Sequence, residues 1–269
     1  MIVPLSNRQH LRDIVRVCNA LCMYSPVANG YFFKNEFFLT CTAGNTRGSV
    51  YIGSVLDPVR TGCYWFEVSV YKLIEVLRIC IRNQATNTNI YADLEAGAPV
   101  SVNVLPQDDS SWPKNMVIGK NLGLTEDIPA GVMTIVGTNT LHGTQLAIDP
   151  GEWNRMLTEH IITGGSESSP FHLDVSTTNG VHTVRFYTND MTTGSSTTTR
   201  ITALASSGLV SGIVHPCSVV YSTVDMKRVQ ILMSTNASFE VYIDKCGVLQ
   251  TLIRNRNYRV TTTTVPTTM

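Results

Sequence analysis

The sequence predicts an all-β protein, an antiparallel sandwich or barrel with two short helices and long loops. Three observations predict it. Short runs rich in aromatic and β-branched residues recur at regular spacing, each bounded by Gly, Pro, Asn or Asp. Only two segments carry a helical period instead. Hydrophobic residues are 43% of 269, enough for a sizeable core. No linker and no internal repeat divides the chain, so it reads as one domain over 1–269. An N-terminal helix and lead-in take 1–47, the sandwich 48–255 and an extended tail 256–269.

The first helix begins at Ser6, with Gln9 three residues on as a capping box requires. Leu11, Ile14, Val15, Cys18, Leu21 and Cys22 form its apolar stripe. Arg8, Arg12, Asp13, Arg16 and Asn19 face away. Pro26 and Asn29-Gly30 close the segment. Strands follow at 37–44, 48–55 and 62–71. The run 73–83 also alternates: Leu73, Leu77, Ile79 and Ile81 face one way, Arg78, Cys80 and Arg82 the other, with Glu75 the exception. Further strands are predicted at 99–106, 131–138 and 144–150, with a long surface loop over 107–129.

A second helix is predicted over 150–162. The runs 171–177 and 180–189 make a hairpin turned at Asn179-Gly180. Residues 191–199 form a flexible tip. The last strands fall at 216–223, 227–235, 238–244 and 249–255. In the closing pair, Val229, Ile231 and Met233 share one face, as do Phe239, Val241 and Ile243.

Charge narrows the function. Only 15% of residues are charged, and Lys+Arg equals Asp+Glu at 20 each, for a net charge of zero. A surface so poor in charge suits a subunit covered by neighbours. Residues 1–10 hold one Arg and residues 260–269 no basic residue, so no terminal arm grips phosphates. Any RNA contact is expected to be weak or indirect. No run is long and apolar enough to span a membrane.

The seven cysteines are odd in number and lack a CxxC, so they read as small buried hydrophobes in a reducing compartment. His172 and Asp174 share one strand face, but two ligands do not make a metal site. Asp108-Asp109 and Asp93/Glu95 read as solvated carboxylates. The GGSES run around Ser166 is not a nucleophile elbow, and no phosphate-binding glycine motif occurs. No enzyme activity, cofactor or metal is expected. Candidate surface contacts are Trp112, Asp108 and Asp109 in the 107–129 loop, with Ser195 and Ser196 on the 191–199 tip. Tyr64 and Trp65 read as core.

The strand Gly62–Tyr71, the run Leu73–Asn83 and the closing pair Val229–Thr235 and Phe239–Asp244 resemble the layout of jelly-roll coat proteins of picorna-like, insect-infecting RNA viruses. The resemblance implies an eight-stranded jelly roll serving as an icosahedral capsid subunit around single-stranded RNA. It implies other copies or related coat subunits as partners, a host receptor met through loops, and a place in the virion after assembly in the host cytoplasm. The alternative is a β-sandwich carbohydrate- or receptor-binding module of a spike, fibre or lectin.

Overall fold

The structure is a computed structural model. It describes residues 1–5, 7–56, 62–85, 87–105, 115–137, 141, 143–164, 170–178, 181–189, 193–202, 217–232, 238–255 and 258–267. Strand dominates, with five helices among the described residues. The chain divides into two compact units. Unit 1 is Met1–Thr42, Gly48–Thr138 and Arg256–Val260; unit 2 is Ala43–Arg47, Asn139–Asn255 and Thr261–Met269. Neither is a continuous stretch, so no linker composition marks the division.

Unit 1 opens with β1 (Ile2–Leu5) and α1 (Arg8–Cys22). Asn7, not the predicted Ser6, caps α1: its side chain accepts from the His10 N–H at 2.8 Å, while Ser6 lies outside the described residues. Leu11, Ile14, Cys18 and Leu21 are buried as the stripe predicts, and Val17 joins them. There follow β2 (Val27–Phe33), β3 (Glu36–Ala43), β4 (Thr46–Ser54), β5 (Cys63–Ser69), α2 (Val70–Arg82), β6 (Asn87–Ala92), β7 (Pro99–Leu105), β8 (Asn115–Thr125) and α3 (Ala130–Ile135). The strand order is β1-β6-β7-β8-β5-β2-β3-β4.

The residues 73–83, expected as a strand, are helix. Ser69 caps them by accepting from the Lys72 N–H at 3.4 Å. Val70, Leu73, Ile74, Leu77 and Cys80 recur at spacings of three and four and are buried. Glu75, anomalous on a strand, is simply exposed on the helix's outer side. Of the expected strand at 131–138, residues 131–135 belong to α3, and the expected loop over 107–129 contains β8. Gly119 makes β8 possible. A Cβ there would stand 2.0 Å from the Glu67 carbonyl, so only glycine lets β8 pass from β7 to β5.

Both faces of the unit 1 sheet hold buried side chains, one of them chiefly where α3 lies over it. Tyr31 stands opposite Phe38 and Trp65, and with Phe33, Tyr51 and Cys63 these meet α3 through Val132 and Ile135. The alternate residues Phe32, Phe37, Leu39, Phe66 and Val68 are fully buried on the other face. There α2 packs on β2, β5, β7 and β8, and α1 packs beside α2. A helix pair therefore covers the sheet where a jelly roll would place a second sheet. The eight-stranded jelly roll is corrected to this helix-backed arrangement.

Unit 2 contains β9 (Thr144–Gln145), α4 (Pro150–Gly164), β10 (Pro170–Thr178), β11 (Val181–Asn189), β12 (Ser196–Thr202), β13 (Cys217–Ser222), α5 (Thr223–Leu232), β14 (Ser238–Ile243), β15 (Leu249–Arg254) and β16, which runs Arg259–Thr264 and begins in unit 1. The predicted strand 227–235 is overturned as far as Leu232, which ends α5; residues 233–235 lie outside the described residues. Met226 and Val229, three apart, are buried apolar positions on it. The 191–199 tip in part forms β12, and 144–150 is strand only at Thr144–Gln145.

Nor is the C-terminal segment a free tail. Thr261, Thr262 and Thr264 are buried, and Thr262 hydrogen-bonds Thr251 at 2.5 Å and Thr264 bonds Thr46 at 3.3 Å. The Thr267 N–H donates to the Val220 carbonyl at 2.7 Å. Thr262 and Thr264 thus find hydroxyl partners within the chain itself.

The two units repeat one plan. Each runs strand, helix, four strands, helix, three strands, with α3 standing between the two runs. In unit 2 the strands lie in the orders β9-β14-β15-β16 and β13-β10-β11-β12, which match β1-β6-β7-β8 and β5-β2-β3-β4 position for position. No repeat is visible in the sequence.

Candidate nucleic-acid interface

The α1–α2 pair concentrates positive charge. Arg8, Arg12 and Arg16 recur every fourth residue and are all exposed, so they form one stripe stepping about 6 Å at a time along α1. Lys72, Arg78 and Arg82 are exposed on α2. Arg78 donates to the Asn19 side-chain oxygen at 3.0 Å and joins the two polar faces. Among the described residues none of these six cations is ion-paired. Against them stand Asp13, half-buried and accepting from Gln9 at 2.9 Å, and Glu75. The Tyr71 hydroxyl hydrogen-bonds Glu75, which raises its pKa. A stripe of unpaired guanidinium groups on a rigid helix pair suits phosphate oxygens, which need donors rather than shape.

The sequence alone showed no basic terminal arm, so only weak or indirect RNA contact was expected. The cations of α1 were visible on its polar face. Those of α2 were hidden by the strand assignment, which scattered Lys72, Arg78 and Arg82 over a sheet.

Among the described residues, the helices of unit 2 carry no such stripe. On α4, Arg155 is exposed between the exposed Glu152 and Glu159. Arg228 of α5 is bound to Asp225 at 2.7 Å and donates to the Ala43 carbonyl at 3.2 Å.

The opposite face of the unit 1 sheet carries a latch. Arg259 donates to the Ile135 carbonyl at 3.3 Å, pairs with Glu36, and lies over the Tyr51 ring 4.2 Å from its centre. One guanidinium thus ties the end of α3 to the sheet beneath it.

Of the predicted contact residues, Trp112, Asp108 and Asp109 lie outside the described residues. Ser195 and Ser196 are exposed at the entry to β12, where Ser195 hydrogen-bonds Thr193. Trp65 is half-buried under α3. His172 and Asp174 share a face of β10 as expected. His172 stacks on Tyr187 with ring centres 4.5 Å apart, and Asp174 pairs with Arg185 at 2.5 Å. Burial alone would raise the Asp174 carboxyl, but hydrogen bonds from Ser218 and Arg185 outweigh it and hold the pKa down. Among the described residues no three His, Cys, Asp or Glu side chains converge on a metal position, and no helix is long and apolar enough to cross a membrane. All seven cysteines are free.

No protein-family model matches the chain, and no curated protein matches it in sequence. Solved structures do. The PCNA2–PCNA3 complex of Sulfolobus tokodaii matches with a TM-score of 0.61 at 11% identity over 99% of both chains. PCNA of A. fulgidus, with the C-terminal region of FEN-1 bound, gives 0.60 at 10% identity, over 100% of this chain and 98% of that one. Proliferating cellular nuclear antigen of Entamoeba histolytica gives 0.58 at 10% identity, over 99% and 98%. This likeness overturns the coat-protein reading, and with it the capsid partners, the receptor, and the virion with its assembly in the host cytoplasm. The carbohydrate-binding sandwich falls with it. From end to end, the chain has the fold of proliferating cellular nuclear antigen.

Proposed function

We propose that the chain is a subunit of a sliding clamp, a non-enzymatic ring that encircles duplex nucleic acid and tethers other proteins to it. The structural neighbours are clamps of this kind. One of them is a complex between clamp subunits and another carries a bound partner segment, so both kinds of association are expected here. The observation that carries the reading is the six-cation face of α1 and α2 in a chain whose formal charge is zero. Such a face attracts phosphates without reading bases, which a protein that slides requires.

The test is topological. The purified chain, loaded on a nicked circular duplex, is expected to stay bound at moderate salt and to run off once the circle is cut. The triple variant Arg8→Glu, Arg12→Glu, Arg16→Glu should fold normally and lose retention at least about tenfold, with a shallower salt dependence. Equal retention on circular and linear DNA would overturn the ring, and full retention by the triple variant would overturn the assigned face.

A further inference from the structure

In unit 2, β13 turns Cys217, Val219 and Tyr221 to one side. The turn between β14 and β15 lies on that side. A Cβ on Gly247 in this turn would stand 2.6 Å from a Val219 methyl, and the Tyr221 hydroxyl donates to the Gly247 carbonyl. Asp244 shapes the turn, its side chain accepting from the N–H groups of Cys246 and Val248, each at 2.8 Å. Cys246 directly precedes Gly247, and Cys217 lies two residues before Val219, about 7 Å along the strand on the same face.

The two thiols differ in access. Cys246 is exposed and Cys217 half-buried. Burial first, then the negative charges of Asp244, Asp174 and Cys246, raise the Cys217 pKa. The remaining thiols are poor competitors. Burial pushes Cys41 up to about 12 and Cys63 to about 11, and raises Cys18, Cys22 and Cys80 as well.

We propose that Cys246 and Cys217 are a redox pair that a peroxide converts into a reversible disulfide, stapling the β14–β15 turn to β13. The Cys246 thiolate attacks the peroxide. The O–O bond breaks, an S–O bond forms, and the leaving oxygen departs as water after taking up protons. The Cys217 sulfur then attacks the sulfenic sulfur, forming the S–S bond and releasing a second water. The two sulfurs lose two electrons in all, and the peroxide gains them. The inference rests on unit 2 geometry alone and is independent of the proposed clamp function.

The full chain, treated with hydrogen peroxide, is expected to lose two titratable thiols and two hydrogens of mass. Peptide mapping should link Cys217 to Cys246, and dithiothreitol should reverse the change. The melting temperature should rise on oxidation in the natural chain but not in Cys246→Ser. In Cys217→Ser, Cys246 should be trapped as sulfenic acid by dimedone. Oxidation of Cys246 beyond sulfenic acid while Cys217 remains a thiol would overturn the proposal. So would a bond from Cys246 to any other cysteine or to a second chain.

Discussion

The two units share one topology, and their helix pairs differ in charge. In unit 1 the outer face carries Arg8, Arg12, Arg16, Lys72, Arg78 and Arg82. In unit 2 the first helix sets Glu152 and Glu159 around Arg155, and the second commits Arg228 to Asp225. Unit 2 is therefore an internal control. It reaches the same strand order with no such stripe on its described helices, so the cations of unit 1 are not what the fold needs. Exposed like charges at every fourth helical position cost a few tenths of a kcal/mol per pair in mutual repulsion. A feature that costs stability and serves no packing purpose points to a ligand, and the regular cationic spacing points to a polyanion.

The helices are also anchored differently. His10, Leu11, Ile14, Val17, Cys18, Ala20 and Leu21 are all buried along α1. On α4 the buried side chains are fewer: Trp153, Met156, Leu157 and His160. Trp153 packs edge-on to Phe186 at 5.8 Å and tilted against Phe239 at 5.9 Å. Trp153→Ala should therefore be the most damaging of these changes, destabilising by about 3–5 kcal/mol. In urea unfolding the loss should fall on unit 2, and a loss below about 1 kcal/mol would show that α4 is held elsewhere.

Acid should sharpen the contrast next. His160 is fully buried, with its ring nitrogens hydrogen-bonded to the hydroxyls of Thr188 at 2.8 Å and Thr199 at 3.0 Å. Burial lowers its pKa from 6.5 to about 4. The unfolded chain then binds the proton more readily than the folded one, so stability is complete above pH 6.5 and is lost as pH falls toward 4. The loss is roughly 3 kcal/mol over that window. In unit 1, burial also lowers His10, but its bond to the Ile52 carbonyl at 3.1 Å opposes the shift. Unit 2 should accordingly loosen first on acidification, as hydrogen exchange would read. His160→Gln should flatten this pH dependence.

A smaller effect tests the unit 1 latch. Arg259→Ala removes the guanidinium joining Ile135, Glu36 and Tyr51, and should cost about 1–2 kcal/mol. A six-residue helix is too short to persist without such support. Amide exchange over 130–136 should accelerate while that of α1 stays unchanged.

What the sequence revealed follows from how each element is specified. α1 was legible because its apolar stripe holds one period over fifteen residues. The β10–β11 hairpin was legible because Phe171, Leu173 and Val175 alternate, as do Val184 and Phe186 across the ladder. α2 was not, because Leu73 and Leu77 satisfy both periods. Burial of Ile74 and capping by Ser69 decide between them, and neither stands out in a string of letters. α5 failed for the same reason at Val229. The internal repeat was invisible because topology requires only apolar residues at matching places, not the same residues. The cations of α1 were readable on its polar face; those of α2 joined them in the candidate interface only once α2 was a helix.

The mildest substitution probes the control itself. Glu159 is exposed on α4, beyond its first turn. Glu159→Arg would place a second cation four residues after Arg155, copying the unit 1 spacing. Repulsion between the pair costs only about 0.2–0.5 kcal/mol, so the unfolding midpoint should hardly move. Arg12→Glu in α1 should be as mild or slightly stabilising, because it relieves repulsion from Arg8 and Arg16. If both units tolerate these exchanges, helical charge is free to vary with respect to folding, and its concentration in unit 1 answers to binding. A loss above about 2 kcal/mol from Arg12→Glu would instead make the basic stripe part of the packing and remove the contrast on which the interface rests.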